Sequence, residues 1–434
     1  MNDTPRQATR LEAIGGRFDP WLLGAMLALA SLGVVMVASA SIYQHGNPFY
    51  YLIRHGMFLV AGAGLAWWVT RTELKSIEAR NHLLLLGCVV LLLLVFVPGL
   101  GVSVKGAHRW INLGVSNFQV VEVVKVFFIV WLASYLVRFR DEVNATWAAM
   151  LKPLGVVVLL VALLLMQPDF GSSSLLLAIT AGMLVLGGVN MPRMFGPVLV
   201  GLPILAVIAI AEPYRMRRLT SFSDPWADPF GSGYQLTNAL MAIGRGEWSG
   251  IGLGGSVLKL NYLPEVHTDF IFSVIGEELG FVGVCLVVAL YALLVGRAFV
   301  IGLRCVEMRR HFAGYVAFGV ALWIGMQSFV SMGVNLGLLP TKGLTLPLIS
   351  SGGSSILMTC VAMGLLLRVS YELERTQRPV ALRGEALQTT PSGETRSPAD
   401  AAPATPKSAP SLSETLRGTS RLRSRVEPTF ERIA

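Results

Sequence analysis

Glu265, His267 and Asp269 stand in the run Pro264-Glu-Val-His-Thr-Asp-Phe-Ile-Phe272, directly ahead of an apolar segment long enough to enter a membrane. Carboxylates placed there sit at a water–lipid boundary, where a polar reaction on a lipid-linked substrate has to take place. Asp269 suits a general base, because neighbouring like charge and an interface both raise a carboxylate pKa toward working pH. The competing reading is an N-cap of the following helix, with Thr268 as the alternative cap. Glu277 and Glu278 follow about two turns into the same segment. Facing lipid they would be costly, so at least one is expected to face an interior cavity or a partner.

Other ionisable groups recur in patterns. Gln119, Glu122 and Lys125 fall at i, i+3 and i+6 of one apolar segment and share a face. Glu122 and Lys125 either pair as a structural ion pair or wall a polar cavity that contacts a sugar or phosphate. Arg109 and Lys342 lie in loops on the outer side, against the orientation bias described below, which suits a pyrophosphate ligand or plain head-group anchoring. Arg215, Arg217 and Arg218 are similar candidates. Gly250-Ile-Gly-Leu-Gly-Gly255 matches G-x-G-x-x-G but has no preceding strand, so it reads as glycines permitting tight turns or close contact with a lipid head group. His and Cys show no metal-ligand spacing.

These residues must be held by membrane-spanning helices. Of 434 residues, 53% are hydrophobic and 14% charged, and the apolar ones fall in runs of the ~20 residues that cross ~30 Å of hydrocarbon. Ten spans are expected, at 21–40, 53–70, 82–98, 118–137, 153–168, 170–188, 194–211, 270–296, 314–336 and 346–369. The fold class is therefore an all-α, polytopic membrane helix bundle. The first run follows polar residues and exceeds a signal-peptide core, so it reads as a retained anchor. The four cysteines read as ordinary thiols. Lys and Arg concentrate in alternate loops and in the N-terminal tail 1–20, which makes both termini cytoplasmic. The long loop 212–268 then falls outside, with a short interfacial helix at 234–243. Residues 372–434 are rich in Ser, Thr, Pro, Ala and Arg and read as a disordered cytoplasmic tail. The net charge of +9 is explained by these loops and the tail, without a basic face for nucleic acid.

Between 20 and 370 the chain resembles the SEDS family of cell-wall proteins. The resemblance is carried by Gly106-Ala-His-Arg-Trp-Ile-Asn-Leu-Gly114, by Gln119, Glu122 and Lys125, and by Gln167-Pro-Asp-Phe-Gly171. Further carriers are Pro264 to Phe272, Gly276-Glu-Glu-Leu-Gly280 and Pro340-Thr-Lys-Gly-Leu-Thr-Leu-Pro-Leu-Ile-Ser-Ser-Gly-Gly-Ser354. The Pro-Thr-Lys-Gly-Leu-Thr form is similar to division members rather than elongation members. Val120-Val121 replaces the family's usual Pro-Ser, and Ser351 replaces its usual aromatic residue.

The resemblance implies a peptidoglycan glycosyltransferase that polymerises lipid II at the outer face of the cytoplasmic membrane, at the division septum. An α-linked pyrophosphate leaves and a β-1,4 bond forms, so the anomeric centre inverts. Asp269 would take the proton of the acceptor hydroxyl. Arg109, Lys342, Arg215 and its neighbours, or a divalent cation (magnesium or manganese), would neutralise the leaving group. Glu265 would position Asp269 or share that cation. Glu122, Lys125, His267 and Ser354 complete the expected substrate contacts. A class B penicillin-binding transpeptidase and other division proteins are the implied partners. The rival readings are a lipid II flippase, which needs polar groups at several depths, and a non-catalytic scaffold acting through its tail.

Overall fold

The computed structural model describes residues 16–42, 49–104, 107–112, 114, 117–211, 213–257, 259–260 and 266–388. The chain divides into two units, 1–380 and 381–434. In chain order the first elements are α1 (Pro20–Ser41), α2 (Tyr50–Arg71), α3 (Leu74–Ala79) and α4 (Asn81–Leu94). A small antiparallel sheet follows, β1 (Gly101–Val104), β2 (Ala107–Asn112) and β3 (Asn117–Gln119), in the order β1-β2-β3. Then come α5 (Val120–Arg138), α6 (Arg140–Ala145), α7 (Trp147–Met166), α8 (Phe170–Leu186) and α9 (Met191–Ala211). The rest comprises α10 (Pro213–Ser223), α11 (Tyr234–Arg245), α12 (Ile271–Glu307), α13 (His311–Asn335) and α14 (Gly353–Gln388).

Among the described residues, eight helices are long and apolar enough to cross a membrane: α1, α2, α5, α7, α9, α12, α13 and α14. The shorter apolar helices α4 and α8 occupy the two remaining expected spans. The protein is a multi-pass membrane helix bundle. In α5, Val124, Phe128, Ile129 and Leu132 are all fully buried, so this helix runs through the core. In α9, by contrast, Leu199 and Val207 are 76% and 66% exposed, as lipid-facing side chains should be.

Several expectations need correction. The loop before α5 is a β-sheet, in which Val102 pairs with Trp110 and, across a register shift, Ser103 with His108. The final span starts at Gly353 rather than 346, since 336–352 is irregular and Leu348 takes a positive φ of 67°. That helix is regular to Gln388, so helical structure runs past the expected boundary at 372; residues 389–434 lie outside the described set. The loop 212–268 carries two helices, α10 and α11, where one was expected.

α12 is broken at Gly280, whose φ of 65° and ψ of −163° lie outside helical space. The freed backbone groups pair with a neighbouring loop. Ile251 and Gly252 donate to the carbonyls of Glu277 and Glu278 at 3.0 and 3.1 Å, and Phe281 donates to the Glu247 carbonyl at 2.9 Å. A Cβ on Gly250 would stand 2.1 Å from the Glu278 carbonyl oxygen, so only glycine admits this approach. The G-x-G-x-x-G run thus brings loop backbone against helix backbone.

Both glutamates of the broken turn are buried and matched. Glu278 accepts from Lys259 Nζ at 3.0 Å and Ser39 Oγ at 2.7 Å. Glu277 accepts from Ser256 Oγ, from the Val257 amide at 3.2 Å and from Arg245 at 3.4 Å. They face protein partners, as their cost in lipid requires. Lys259→Met leaves Glu278 as an uncompensated buried charge and is expected to destabilise the protein by about 3–5 kcal/mol. Thermal unfolding in detergent checks this; an unchanged midpoint would mean the pair contributes nothing.

Candidate active site

Asp269 lies in the turn 266–270 that precedes α12. The N-cap of α12 is Phe270, and it makes no side-chain cap. That terminus is capped from elsewhere. Asn335, the last residue of α13, accepts from the Ser273 amide at 3.2 Å and from Ser273 Oγ at 2.7 Å. Its Nδ2 donates to the Asp269 carbonyl at 2.9 Å and to the Ser331 carbonyl at 2.8 Å. One buried amide therefore satisfies a helix end and holds the backbone of Asp269.

The other side of the turn is strapped by the loop between α13 and α14. Ser350 Oγ donates to the Thr268 carbonyl at 2.6 Å and accepts from the Leu346 amide at 2.8 Å. The Ser351 amide donates to the His267 carbonyl at 2.8 Å, a bond that needs only a backbone N–H at position 351. The His267 ring is buried against Tyr51, with centroids 4.0 Å apart.

The same loop brings backbone to the carboxylate. A Cβ on Gly343 would stand 3.0 Å from Asp269 Oδ2, so the backbone beside Lys342 lies directly against the carboxylate. Lys342 rests over the Phe170 ring at 4.8 Å. Burial pulls its ammonium below the ordinary lysine value, and Asp169 opposes part of that pull. Asp169 caps α8 through the Ser172 amide at 3.1 Å and stands 3.7 Å from Arg109 Nη1. Arg109, carried on β2, also donates to the Gln167 carbonyl at 3.2 Å and to the Pro168 carbonyl. Arg218 of α10 donates to the Thr341 carbonyl at 3.0 Å. Lys342, Asp169 and Arg109 thus form one group, with the Asp269 carboxylate against the adjoining Gly343 backbone and Arg218 bonded to Thr341 of the same loop.

Glu122 and Lys125 are placed differently. Lys125 is fully buried, its Nζ 2.8 Å from both Glu122 Oε1 and Gln327 Oε1 and 4.7 Å from the Trp323 ring centroid. The pair is a sealed ion pair in the core and does not form an open cavity wall. Gln327 donates onward to the Thr345 carbonyl at 2.8 Å, which ties the pair to the Lys342 loop. Ser354 is buried in the first turn of α14, where its neighbour Ser355 pairs with Thr345 Oγ1 at 2.8 Å. Val120 and Val121 are buried at the start of α5. Glu265 and the Arg215 side chain lie outside the described residues. Among the described residues, no three His, Cys, Asp or Glu side chains gather as a metal site.

Asn335 had no signal in the sequence, and Ser350 stood only as one member of the Pro340–Ser354 run, with no bonding role legible. An Asn ending a helix ahead of Leu-Gly reads as an ordinary C-terminus, and its bond to a turn 66 residues earlier leaves no periodic trace. Asp169-Phe-Gly-Ser172 carried a readable N-cap, but not its proximity to Arg109.

A family model described as cell cycle protein, FtsW/RodA/SpoVE, matches residues 20–375. The chain belongs to this family. Among FtsW/RodA/SpoVE relatives, a protein of Xanthomonas oryzae pv. oryzae named probable peptidoglycan glycosyltransferase FtsW is 66% identical over 463 residues, covering 100% of this chain and 94% of its own. One of the same name from Legionella pneumophila is 46% identical, covering 82% and 91%. Among solved structures, a peptidoglycan synthase complex coordinating polymerization and crosslinking matches with a TM-score of 0.69 and 30% identity, over 82% of this chain and 98% of that one. The rod shape determining protein RodA of Thermus thermophilus matches with a TM-score of 0.61 and 29% identity, over 81% and 96%.

The double duty of Asn335 yields a specific outcome. Asn335→Ala removes the cap of α12 and the hold on the Asp269 carbonyl, and a displacement of about 1 Å at a reacting group costs roughly 100-fold in rate. Glycan polymerisation by the folded variant should fall by that order, with Asn335→Asp retaining the Ser273 bonds and an intermediate rate. Wild-type rates in both would remove Asn335 from the site.

Proposed function

We propose that the protein is a peptidoglycan glycosyltransferase that polymerises lipid II, with Asp269 as general base. The observation that carries this reading is the approach of the Gly343 backbone to Asp269 Oδ2, which sets a carboxylate beside the loop bearing Lys342. Inverting transfer from a lipid pyrophosphate needs one base behind the acceptor and positive charge at the departing group. Asp269 takes the proton from the acceptor GlcNAc 4-hydroxyl as that oxygen attacks the anomeric carbon. Arg109 and Lys342 neutralise the pyrophosphate as the glycosidic C–O bond breaks, and Arg218 adds charge at the same loop. Glu265, the carboxylate expected to share a divalent cation with Asp269, lies outside the described residues.

The reading is supported by the family and by the names its relatives carry. It places the Asp269 end of the bundle at the outer face of the cytoplasmic membrane, both termini inside, and the protein at the division septum. A class B transpeptidase is the proposed partner, since a similar solved chain belongs to a complex of polymerization and crosslinking. In a flippase, Glu122 and Lys125 would serve as a polar step across the membrane; here Gln327 and Trp323 seal them.

The deciding experiment is polymerisation of purified lipid II by the reconstituted protein with its transpeptidase partner, wild type beside Asp269→Asn. The wild type should make long strands, and the variant should lose at least about 1,000-fold while staying folded and inserted. Full activity in the variant would remove Asp269 from the mechanism.

Lys342 adds a pH dependence. Its depressed pKa means that charge at the leaving group is lost at lower pH than for an ordinary lysine, so activity declines early on the alkaline side. Lys342→Arg keeps its charge and should shift that decline to higher pH. Superimposable alkaline limbs in the two pH–rate profiles would exclude Lys342 from this role.

A further inference from the structure

A second polar site lies at the end of the bundle opposite Asp269. α2 links the two ends: the Tyr51 ring stacks on His267, while the Thr70 carbonyl accepts from Arg368 Nη1 at 3.1 Å. Beside Thr70 a cleft of about 360 Å³ opens among α3, the turn between α12 and α13, and α14. Its charged lining is Lys75, Arg310, Arg368 and Arg375, set against Glu73 and Glu372.

Glu372 is already committed within this lining. Its carboxylate accepts from Arg368 Nε at 2.9 Å, Arg310 Nη1 at 3.3 Å and the Leu74 amide at 3.2 Å. The two guanidinium groups are thereby fixed in place before any ligand arrives, which lowers the entropy cost of binding an anion. Lys75 and Arg375 stand exposed on the rim, and among the described residues neither forms an ion pair. The cleft therefore holds more positive than negative charge, with fixed donors inside and exposed ones at its mouth.

The depth of the cleft points to the source of the anion. Trp67 and Trp68, one turn from Thr70 on α2, are 59% and 65% exposed, and Arg71 covers the Trp67 ring at 4.0 Å. Exposed tryptophans at the end of a spanning helix mark the head-group layer. Guanidinium forks match phosphate oxygens in geometry as well as charge.

We propose that this cleft binds the phosphodiester head group of an anionic phospholipid from the surrounding bilayer. The site is distinct from the Asp269 end and independent of the glycosyltransferase reading.

The test is native mass spectrometry of the full-length protein in detergent, titrated with phosphatidylglycerol or phosphatidylcholine. The wild type should retain phosphatidylglycerol in preference. Lys75→Gln with Arg375→Gln removes two rim charges and should weaken retention roughly thirtyfold. Glu73→Gln removes an opposing carboxylate and should strengthen it, a gain that a folding defect does not produce. Equal retention of the two lipids, or no change in either variant, would overturn the proposal. Displacement of phosphatidylglycerol by millimolar inorganic phosphate would also overturn it, assigning the cleft to a free anion instead.

Discussion

The site depends on hydrogen bonds that hold a turn with no regular structure of its own. Residues 266–270 are kept in place from two directions, by Asn335 at the end of α13 and by Ser350 and Ser351 ahead of α14. A helix N-terminus leaves backbone donors without intrahelical acceptors. In most helices the preceding residue supplies a local cap. Here the acceptor comes from a different spanning helix, so the start of α12 forms only when α13 is packed beside it. The position of Asp269 is therefore a property of the assembled bundle.

A second constraint fixes the other flank of that turn. The break at Gly280 exposes helix backbone groups inside the protein, and the loop 247–252 satisfies them by direct pairing. Glu277 and Glu278 then hold Ser256, Val257 and Lys259 against the same helix. Buried ion pairs add little net stability against an apolar alternative, but they penalise any arrangement that separates the partners. The loop preceding the site is thus anchored close to where α12 begins. The sealed Glu122–Lys125 pair works similarly deeper in the bundle, reaching the Lys342 loop through Gln327 and Thr345.

Charge in the site is arranged so that opposite signs stay close without cancelling. Arg109 is held by carbonyls of the Gln167–Pro168 turn and faces Asp169 at 3.7 Å, which leaves it partly exposed to a ligand. Lys342 is half-buried over Phe170, with Asp169 near enough to favour its charged form. The Asp269 carboxylate meets the backbone at Gly343, the residue after Lys342.

The sequence by itself determined the membrane bundle, because hydrocarbon thickness imposes a length on every span and exposed backbone is too costly to tolerate there. It also singled out Asp269, Arg109 and Lys342, because ionisable groups at the ends of apolar runs stand out against their surroundings. Only the tertiary structure decided that the N-cap position of α12 falls to Phe270, that Glu122 and Lys125 are sealed, and that Asn335 and Ser350 hold the turn bearing Asp269. Apolar periodicity is written into neighbouring residues, whereas a hydrogen bond between residues 66 or 82 positions apart leaves no local pattern. Such a bond exists only once packing has brought its two ends together.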